Sequence, residues 1–490
     1  MDRVCLSKSK YCKAKQCNKI LWLNKNKPEE ALPKERDSVL ENGAKVGELA
    51  RQYFGEYTNI DFDENISNMI ENTKINLKNA PNIITEASFN FNNNFCSVDI
   101  LKNDIDGFEI YEVKSSTEVK DIYLDDVSYQ VYVLKNLGYK VKKASIMYIN
   151  NQYVRQGKLD INQLFNIYDV TNIAFSKQEE IRSKIEEVNE YMQNKEEPEK
   201  DISIQCFKPY FCPYWEYCTR ELPEKNIFSI KGGMRVDKKF ELYDKGIITY
   251  EDIINTNINE KYRQQAEIDL TNEIIIKKDE IREFMKTLSY PIYFLDFETY
   301  QEAIPQYDGI WAYEQIPFQY SLHYIEKKGG ELKHKEFLAE AGADPRRILA
   351  EKLVEDIPTN VCVTAYNMGF EKGRIKELAN LFEDLKEHLM NIHDNIKDLM
   401  IPFHDRLYYT KEMKGSYSIK YVLPALFPND SELDYHNLPV VHNGGEASDA
   451  FLSLTNLSKE EQEKVRNGLL VYCKLDTLAM VKVWGKLKQI

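Results

Sequence analysis

Residues 291–299 read PIYFLDFET, an apolar run that ends in two carboxylates, Asp296 and Glu298. An apolar run of this length predicts a buried β-strand, and residues two apart on a strand point to the same side of the sheet. Because like charges on one strand face repel each other, the pair is best explained by divalent cations lying between the carboxylates. The stretch therefore predicts a rigid strand that presents metal ligands.

Two later segments offer further ligands. YCKLDTLAMVKVW places Tyr472 and Asp476 four positions apart with helical spacing, so both side chains reach toward one spot. TAYNMGFEKGRIKELANLF reads as a strand end, a turn and a helix that carries Glu371 in its first turn. The three segments supply four carboxylates and a phenol, as a two-metal site requires. Asp398, in KDLMIPF, is an alternative to Glu371, and its other interpretation is a helix-end or loop carboxylate.

With these motifs in this order, residues 288–490 resemble the DnaQ-like exonucleases of the ribonuclease H fold, in their tyrosine-bearing DEDD group. That group carries DxE first, an acid on a helix second and YxxxD third. The resemblance implies that Tyr472 orients or deprotonates the attacking water, and that nucleoside monophosphates are removed from a 3' end. The group usually has Asp where this chain has Glu371, which preserves oxygen ligation. The implied ligands of two Mg2+ or Mn2+ ions are Asp296, Glu298, Glu371 and Asp476.

A second set of polar residues lies in the first third of the chain. SFNFNNNFCSVDIL alternates apolar and polar residues up to Asp99, and GFEIYEVKSS carries Glu112 and Lys114 two apart. Adjacent strands of a hairpin would bring these groups together. Carboxylates beside a lysine fit a catalytic site that binds a metal and positions water or phosphate.

This region resembles the RecB-like branch of the PD-(D/E)xK nucleases, in which an acid or histidine on a helix precedes D, then ExK, then a helix with Gln. Gln130, in LDDVSYQVYVLKNLGY, fills the last position. Gly47 stands where many relatives have a metal-binding His. Either another acid substitutes for that His, or the site is weakened. The implied ligands of Mg2+ or Mn2+ are Glu48, Glu86, Asp99 and Glu112.

Three of the nine cysteines fall within thirteen residues, namely Cys206, Cys212 and Cys218. A fourth ligand must come from elsewhere; Cys17 is the natural choice, with Cys5 and Cys12 as replacements. Some RecB-like nucleases close the nuclease domain with one Cys near the N-terminus and three Cys after the core, and these four residues hold a 4Fe-4S cluster. The resemblance implies such a cluster here, as a structural clip. Four thiolates also suit Zn2+. The remaining cysteines in apolar runs are predicted to be buried core thiols: Cys96, Cys362 and Cys473.

Length and motif positions predict an α/β protein of two domains joined by a connector. The N-terminal domain, residues 1–221, is expected to be restriction-endonuclease-like, and the C-terminal domain, residues 288–490, ribonuclease H-like. Residues 222–287 are the predicted helical connector. In this order the two regions resemble an uncharacterised bacterial family that joins a RecB-like region with a cysteine cluster to a DnaQ-like exonuclease.

The formal net charge is -14, which does not exclude a nucleic-acid partner because basic residues are able to concentrate in one groove. No apolar run reaches 18 residues and the N-terminus is polar, so a cytoplasmic protein without membrane contact is expected. Whether DNA or RNA is bound stays open. Two alternatives remain, a nucleic-acid-binding protein with lost catalysis and a DNA nuclease driven by the N-terminal site alone. Candidate phosphate-binding residues are Lys114, Lys372, Arg374, Lys414 and Lys420.

Overall fold

The chain folds into two α/β units, and the computed structural model describes residues 5–33, 37–79 and 81–490. The first unit comprises Met1–Leu222 with Glu302–Tyr313, and the second comprises Pro223–Gln301 with Glu314–Ile490. Residues 223–287, most of the predicted connector, belong to the second unit.

A seven-stranded mixed sheet forms the centre of the first unit. Its order is β2-β3-β4-β5-β6-β7, with β1 paired to β4. Strands β3, β4 and β5 are antiparallel neighbours, whereas β5 and β6 run parallel. The strands are β1 (Leu6–Ser7), β2 (Thr58–Asn59), β3 (Ile83–Phe91), β4 (Asn94–Asp104), β5 (Gly107–Lys114), β6 (Val141–Ile149) and β7 (Phe165–Asp169).

The stretch SFNFNNNFCSVDIL, which alternates like one strand, contains the turn of the β3–β4 hairpin. Asn92 and Asn93 have φ angles of 48° and 66°, respectively. Consecutive positive φ values are typical of the tight turns that match the twist of antiparallel strands, and Asn tolerates them well. Asp99 therefore lies on the second strand of this hairpin.

Helices cover the sheet of the first unit. The central helix α5 is the most deeply buried, since nearly every residue from Ile122 to Leu134 is shielded from solvent. The helices are α1 (Lys8–Gln16), α2 (Asn18–Asn26), α3 (Asp37–Gln52), α4 (Ile66–Lys78), α5 (Asp121–Asn136), α6 (Ile161–Leu164), α7 (Thr171–Ser176), α8 (Gln178–Tyr191) and α9 (Trp215–Thr219).

The second unit contains a five-stranded sheet of order β11-β10-β9-β12-β13. The first three strands are antiparallel, and β9, β12 and β13 run parallel. A two-stranded ribbon pairs β8 with β14. The strands are β8 (Ile275–Ile276), β9 (Ile292–Tyr300), β10 (Ile316–Ile325), β11 (Lys333–Leu338), β12 (Cys362–Ala365), β13 (Ile396–Asp398) and β14 (Tyr408–Tyr409).

The long helix α20 packs along β9 and β10 of this sheet. Its N-terminus is fixed by a capping box in which Ser458 and Glu461 satisfy each other's backbone N–H groups. The helices of the unit are α10 (Val236–Tyr243), α11 (Tyr250–Ile254), α12 (Glu260–Thr271), α13 (Lys278–Lys286), α14 (Arg346–Asp356), α15 (Gly369–Leu381), α16 (Lys386–Asp394), α17 (Ile401–His404), α18 (Ile419–Leu426), α19 (Gly444–Ser453) and α20 (Lys459–Leu487).

Across the described residues, no helix has both the length and the apolar character needed to span a bilayer.

Candidate functional sites

Strand β9 is the central strand of the second sheet and carries the acid pair. Leu295 and Phe297 point into the core on one side of the sheet. Phe294 points to the other side, where its ring lies 5.8 Å from that of Trp484 on α20. Because side chains alternate along a strand, Asp296 and Glu298 also point toward the α20 side. Asp296 and Glu298 thus point to the same side of the sheet, and this is the side that α20 covers.

Helix α20 brings a thiol to the acid pair. Donor atoms of Asp296, Glu298 and Cys473 all lie within 4.8 Å of one another. The Cys473 Sγ is 3.9 Å from both the backbone oxygen and the Oδ2 of Asp296. Cys473 is fully buried, as predicted for a core thiol, but it also adjoins the acids, which sequence reasoning missed. The available signal in the sequence was that Cys473 directly follows Tyr472, a predicted site residue.

Asp476 is held by a tyrosine that no motif indicated. The phenol of Tyr435 donates a hydrogen bond of 2.6 Å to Oδ1 of Asp476. Burial raises the pKa of Asp476 to about 6, although this hydrogen bond favours the charged carboxylate. After burial itself, the charge of Asp476 is the largest cause that raises the pKa values of Asp296 and Glu298. The three carboxylates therefore form one electrostatic cluster.

Tyr472 lies in the same cluster. Its ring centroid is 6.0 Å from that of Tyr435, in an edge-to-face arrangement. Burial first, and then the neighbouring carboxylates, raise the pKa of Tyr472 far above its usual value. The side chain is therefore a neutral phenol at physiological pH, able to donate or accept a hydrogen bond.

Lys420, at the start of α18, brings positive charge to the cluster. Its Nζ lies 5.3 Å from the ring centroid of Tyr435 and 5.7 Å from that of Tyr472. Lys420 also lowers the pKa values of Asp296, Glu298 and Asp476, although burial outweighs it in each case. Lys420 is one of the predicted phosphate-binding residues, and its position beside the acids is compatible with that role.

Glu371 occupies the first turn of α15, as predicted. It is only 2% exposed, and its Oε2 has no hydrogen-bond partner. Burial, and then the charge of Asp398, raise the pKa of Glu371 to about 8. Glu371 contributes to the raised pKa values of Asp296 and Glu298 but lies outside the 4.8 Å donor group. A buried oxygen without a partner is costly, and a cation would satisfy it.

Asp398, the alternative to Glu371, has a different position. Its carboxylate accepts backbone N–H groups from Asn367 at 3.0 Å, Met368 at 3.1 Å and Met400 at 2.9 Å. These bonds fix the turn that leads into α15. Asp398 therefore holds the segment that carries Glu371, as a helix-end carboxylate does.

In the first unit, Glu112 is surrounded by donors. Lys8 Nζ lies 2.8 Å from Oε1 and 2.9 Å from Oε2. Lys114 Nζ donates to Oε1 at 2.6 Å, and Gln130 Nε2 donates to Oε2 at 2.6 Å. Lys114 also reaches Asp126 at 2.7 Å. The sequence pattern predicted the meeting of Glu112, Lys114 and Gln130, whereas Lys8 and Asp126 were missed.

The other predicted metal ligands of the first unit, Glu48, Glu86 and Asp99, line a cleft of about 620 Å³ that Lys114 also borders. Within it, Glu86 is paired with Arg51 at 2.9 Å. Burial, and then the charge of Glu112, raise the pKa of Asp99 to about 7. The cleft contains Gly47, Glu48, Glu86, Asp99 and Lys114.

The four proposed cluster cysteines lie close enough to influence one another. After burial and a backbone hydrogen bond, the charges of the other three act on Cys212, whose pKa rises to about 12. Gln16, next to Cys17, donates to the backbone oxygens of Gln205 at 2.7 Å and Tyr210 at 2.8 Å. Cys12 instead lies near Asp126 and the acids, and Cys5 is exposed. Cys17 is therefore the N-terminal thiol that accompanies Cys206, Cys212 and Cys218.

Comparison with known proteins gives a family match without an assigned activity. Residues 293–418 match the family described as Domain of unknown function (DUF2779). That span begins in β9, includes the positions of Asp296, Glu298 and Glu371, and ends before Lys420.

A curated relative is Uncharacterized protein UU173 of Ureaplasma parvum serovar 3, which is 26% identical over 291 residues. The alignment covers 54% of this chain, and the chain spans 40% of the length of that relative.

Proposed function

We propose that the protein is a metal-dependent nuclease whose second unit removes nucleoside monophosphates from the 3' end of a nucleic acid. The observation that carries the proposal is the pair Asp296 and Glu298 on β9, whose donor atoms lie within 4.8 Å of each other. Asp476 on α20 lies outside that donor group but belongs to the same buried cluster, since its charge raises the pKa values of both acids. Strongly perturbed carboxylates in one hollow are typical of catalytic metal sites.

The topology of the second sheet supports a ribonuclease H-like domain for this unit. Three antiparallel strands are followed by two parallel ones, in the order β11-β10-β9-β12-β13. The acid pair lies on the central strand of this sheet, and α20 supplies the last motif from the covering helix. Fold likeness alone does not assign an activity, so the proposal depends on the acids.

The donor set fits divalent cations. Carboxylate oxygens are the ligands that Mg2+ and Mn2+ prefer. Among the described residues, no lysine, arginine or histidine nitrogen lies within 4.0 Å of the carboxylates of the four predicted ligands, so their charge is not cancelled by protein ion pairs. Two Mg2+ or Mn2+ ions would activate water and stabilise the departing 3' oxygen. The residues that would hold them are Asp296, Glu298, Glu371 and Asp476.

The side chains of the chain itself have distinct tasks in this proposal. Tyr472, a neutral phenol, orients the attacking water by a hydrogen bond. Tyr435 orients Asp476 through the bond to Oδ1. Lys420 adds a positive charge that favours approach of a phosphate.

The first unit, in the same proposal, is a RecB-like domain that is either a second nuclease or a module that holds the substrate. Its antiparallel β3–β4–β5 and the parallel pair β5–β6 agree with that likeness. A 4Fe-4S cluster on Cys17, Cys206, Cys212 and Cys218 would join its N-terminal segment to its last segment. The four thiols are not among the donor groups within 4.8 Å that the described residues form. A tetrahedral Zn2+ site, with Zn–S bonds of about 2.3 Å, would hold its four sulfur atoms less than 4.8 Å from one another.

The test is incubation of the purified protein with Mn2+ and 3'-labelled single- and double-stranded DNA and RNA. We expect release of labelled mononucleotide, lost in an Asp296→Asn/Glu298→Gln variant that still binds the substrate. Glu283→Gln, on the exposed face of α13, is the matched control and should retain full activity. Undiminished release by the double variant would overturn the proposal.

A further inference from the structure

The acid site of the first unit leaves little room for a divalent cation. A carboxylate has about four lone-pair positions. At Glu112 these are matched by four contacts from three donors, because Lys8 reaches both oxygens and Lys114 and Gln130 take one each. Glu112 has a side chain only 2% exposed. A metal ion would have to displace one of these donors.

Lys8 lies where a shared cation would be expected. Besides Glu112, its Nζ is 3.6 Å from Oδ1 of Asp99 and 3.8 Å from Oδ1 of Asp126. The other oxygen of Asp99, Oδ2, accepts the backbone N–H of Val113 at 2.7 Å. One ammonium group therefore contacts all three carboxylates of the cluster.

The charges of the cluster are nearly balanced by the protein itself. Three carboxylates meet two ammonium groups, those of Lys8 and Lys114, so at most one negative charge is left without a lysine partner. In the adjoining cleft, Glu86 has its own partner in Arg51. The four predicted ligands of the second unit, by contrast, have no such ion pairs among the described residues.

The segment that carries Lys8 is fixed at several points. Strand β1 pairs with the start of β4, and Leu6 N–H donates to the backbone oxygen of Asn93 at 2.8 Å. The phenol of Tyr129 donates to the backbone oxygen of Leu6 at 2.5 Å. Ser7 caps α1, which begins at Lys8. The ammonium group is thus placed by backbone pairing and helix capping.

We propose that Lys8 is the built-in cation of the first unit's acid site, and that this site holds its geometry without a divalent metal. Lys8 is a positioning residue that sets the side chains of Asp99, Glu112 and Asp126. Of the two roles that the proposed function leaves for the first unit, substrate holding then follows. The inference concerns metal binding by the first unit and does not depend on whether the second unit cleaves.

The experiment measures Mn2+ binding by electron paramagnetic resonance. The parent is a full-length Asp296→Asn/Glu298→Gln/Asp476→Asn variant, which removes three of the four proposed ligands of the second unit. We expect this parent to bind no Mn2+ at Asp99, so that a further Asp99→Asn substitution changes nothing. Adding Lys8→Met should create one Mn2+ site that Asp99→Asn then abolishes, whereas Lys8→Arg should not.

Two results would overturn the proposal. One is Asp99-dependent Mn2+ binding by the parent itself, a measurement that needs no substitution at Lys8. The other is a folded Lys8→Met variant that binds no additional Mn2+. If Lys8→Met unfolds without metal, thermal unfolding with Mn2+ present decides, since the proposal expects Mn2+ to raise the melting temperature of this variant and not that of the parent.

Discussion

The phenol of Tyr435 and the carboxylate of Asp476 are joined by a hydrogen bond of 2.6 Å, across 41 positions of the chain. Both groups are buried, so the bond is shielded from water and fixes one oxygen of the carboxylate. Tyr435 lies in a short turn whose first residue, Asp434, accepts the N–H of His436 at 2.9 Å. The geometry of a proposed metal ligand thus depends on a loop outside all three sequence motifs.

Tyr435→Phe is expected to weaken metal-dependent cleavage without unfolding the protein. The substitution keeps the ring and removes the hydrogen bond, and loss of a bond that orients a metal ligand typically costs about 10–100-fold in metal affinity or activity. The measurement is the initial rate of 3'-end degradation as a function of Mn2+ concentration. Tyr324→Phe, on β10 and stacked on Tyr293, is the matched control. A Tyr435→Phe variant with the wild-type Mn2+ dependence would contradict this role.

Cys473→Ala is expected to change metal preference. A thiol beside two carboxylates favours thiophilic cations such as Cd2+ or Zn2+ over Mg2+ and Mn2+. With Mn2+ as the activating ion, Cd2+ should inhibit wild-type cleavage at concentrations about tenfold lower than it inhibits the variant. Cys362→Ala, another buried thiol of the second unit, should leave Cd2+ inhibition unchanged. Equal Cd2+ sensitivity of Cys473→Ala and wild type would show that the thiol does not ligate.

The sequence predicted the members of the acid sites better than their surroundings. Local periodicity places Asp296 and Glu298 on one strand face, and helical spacing places Tyr472 with Asp476, because both patterns depend only on neighbouring residues. Tyr435 and Lys8 reach their sites through loop conformation and strand pairing between distant segments. No local pattern reports such contacts.

The fold shows the same difference between features that neighbouring residues specify and features that depend on distant contacts. The acid strand β9 and the helix of Glu371 were predicted from their own residues, and both lie where expected. The turn at Asn92 and Asn93 was hidden, because an alternating pattern continues through it in the sequence. That residues 223–287 belong to the second unit is a matter of long-range packing, which composition does not encode.

A buried histidine pair is expected to make stability fall in acid. Burial lowers the pKa of His323 to about 3 and that of His334 to about 4, and their rings lie 4.4 Å apart on β10 and β11. Below a pH of about 6.5 the unfolded chain binds protons that the folded chain does not, so the free energy of unfolding decreases as pH falls toward 4. Above that range the pair has no effect on the pH dependence.

The measurement is urea unfolding at pH 7 and pH 5, for wild type and for a His323→Gln/His334→Gln variant. The buried carboxylates with raised pKa values act in the opposite direction, so the informative quantity is the difference between the two proteins. We expect the wild type to lose more stability than the variant between these pH values. His436→Gln, at an exposed position, should behave as wild type. An equal loss in both proteins would exclude the histidine pair as the cause.

Cys206→Ser is expected to abolish iron binding by the first unit. Cys206 and Cys17 belong to segments separated by 189 positions, which the proposed 4Fe-4S cluster would tie together. Wild-type protein purified without oxygen should carry iron and sulfide with visible absorbance, and loss of the clip should lower the free energy of unfolding by roughly 3–5 kcal/mol on a loop-closure argument. Cys12→Ser is the matched control, since Cys12 lies by the acids of the first unit. Hydrogen bonds from Gln16 already join the two segments, so a Cys206→Ser protein should remain folded though weaker. Bound zinc in place of iron would show that the four thiols form a zinc site. A wild-type protein that binds neither metal would contradict the proposed cluster.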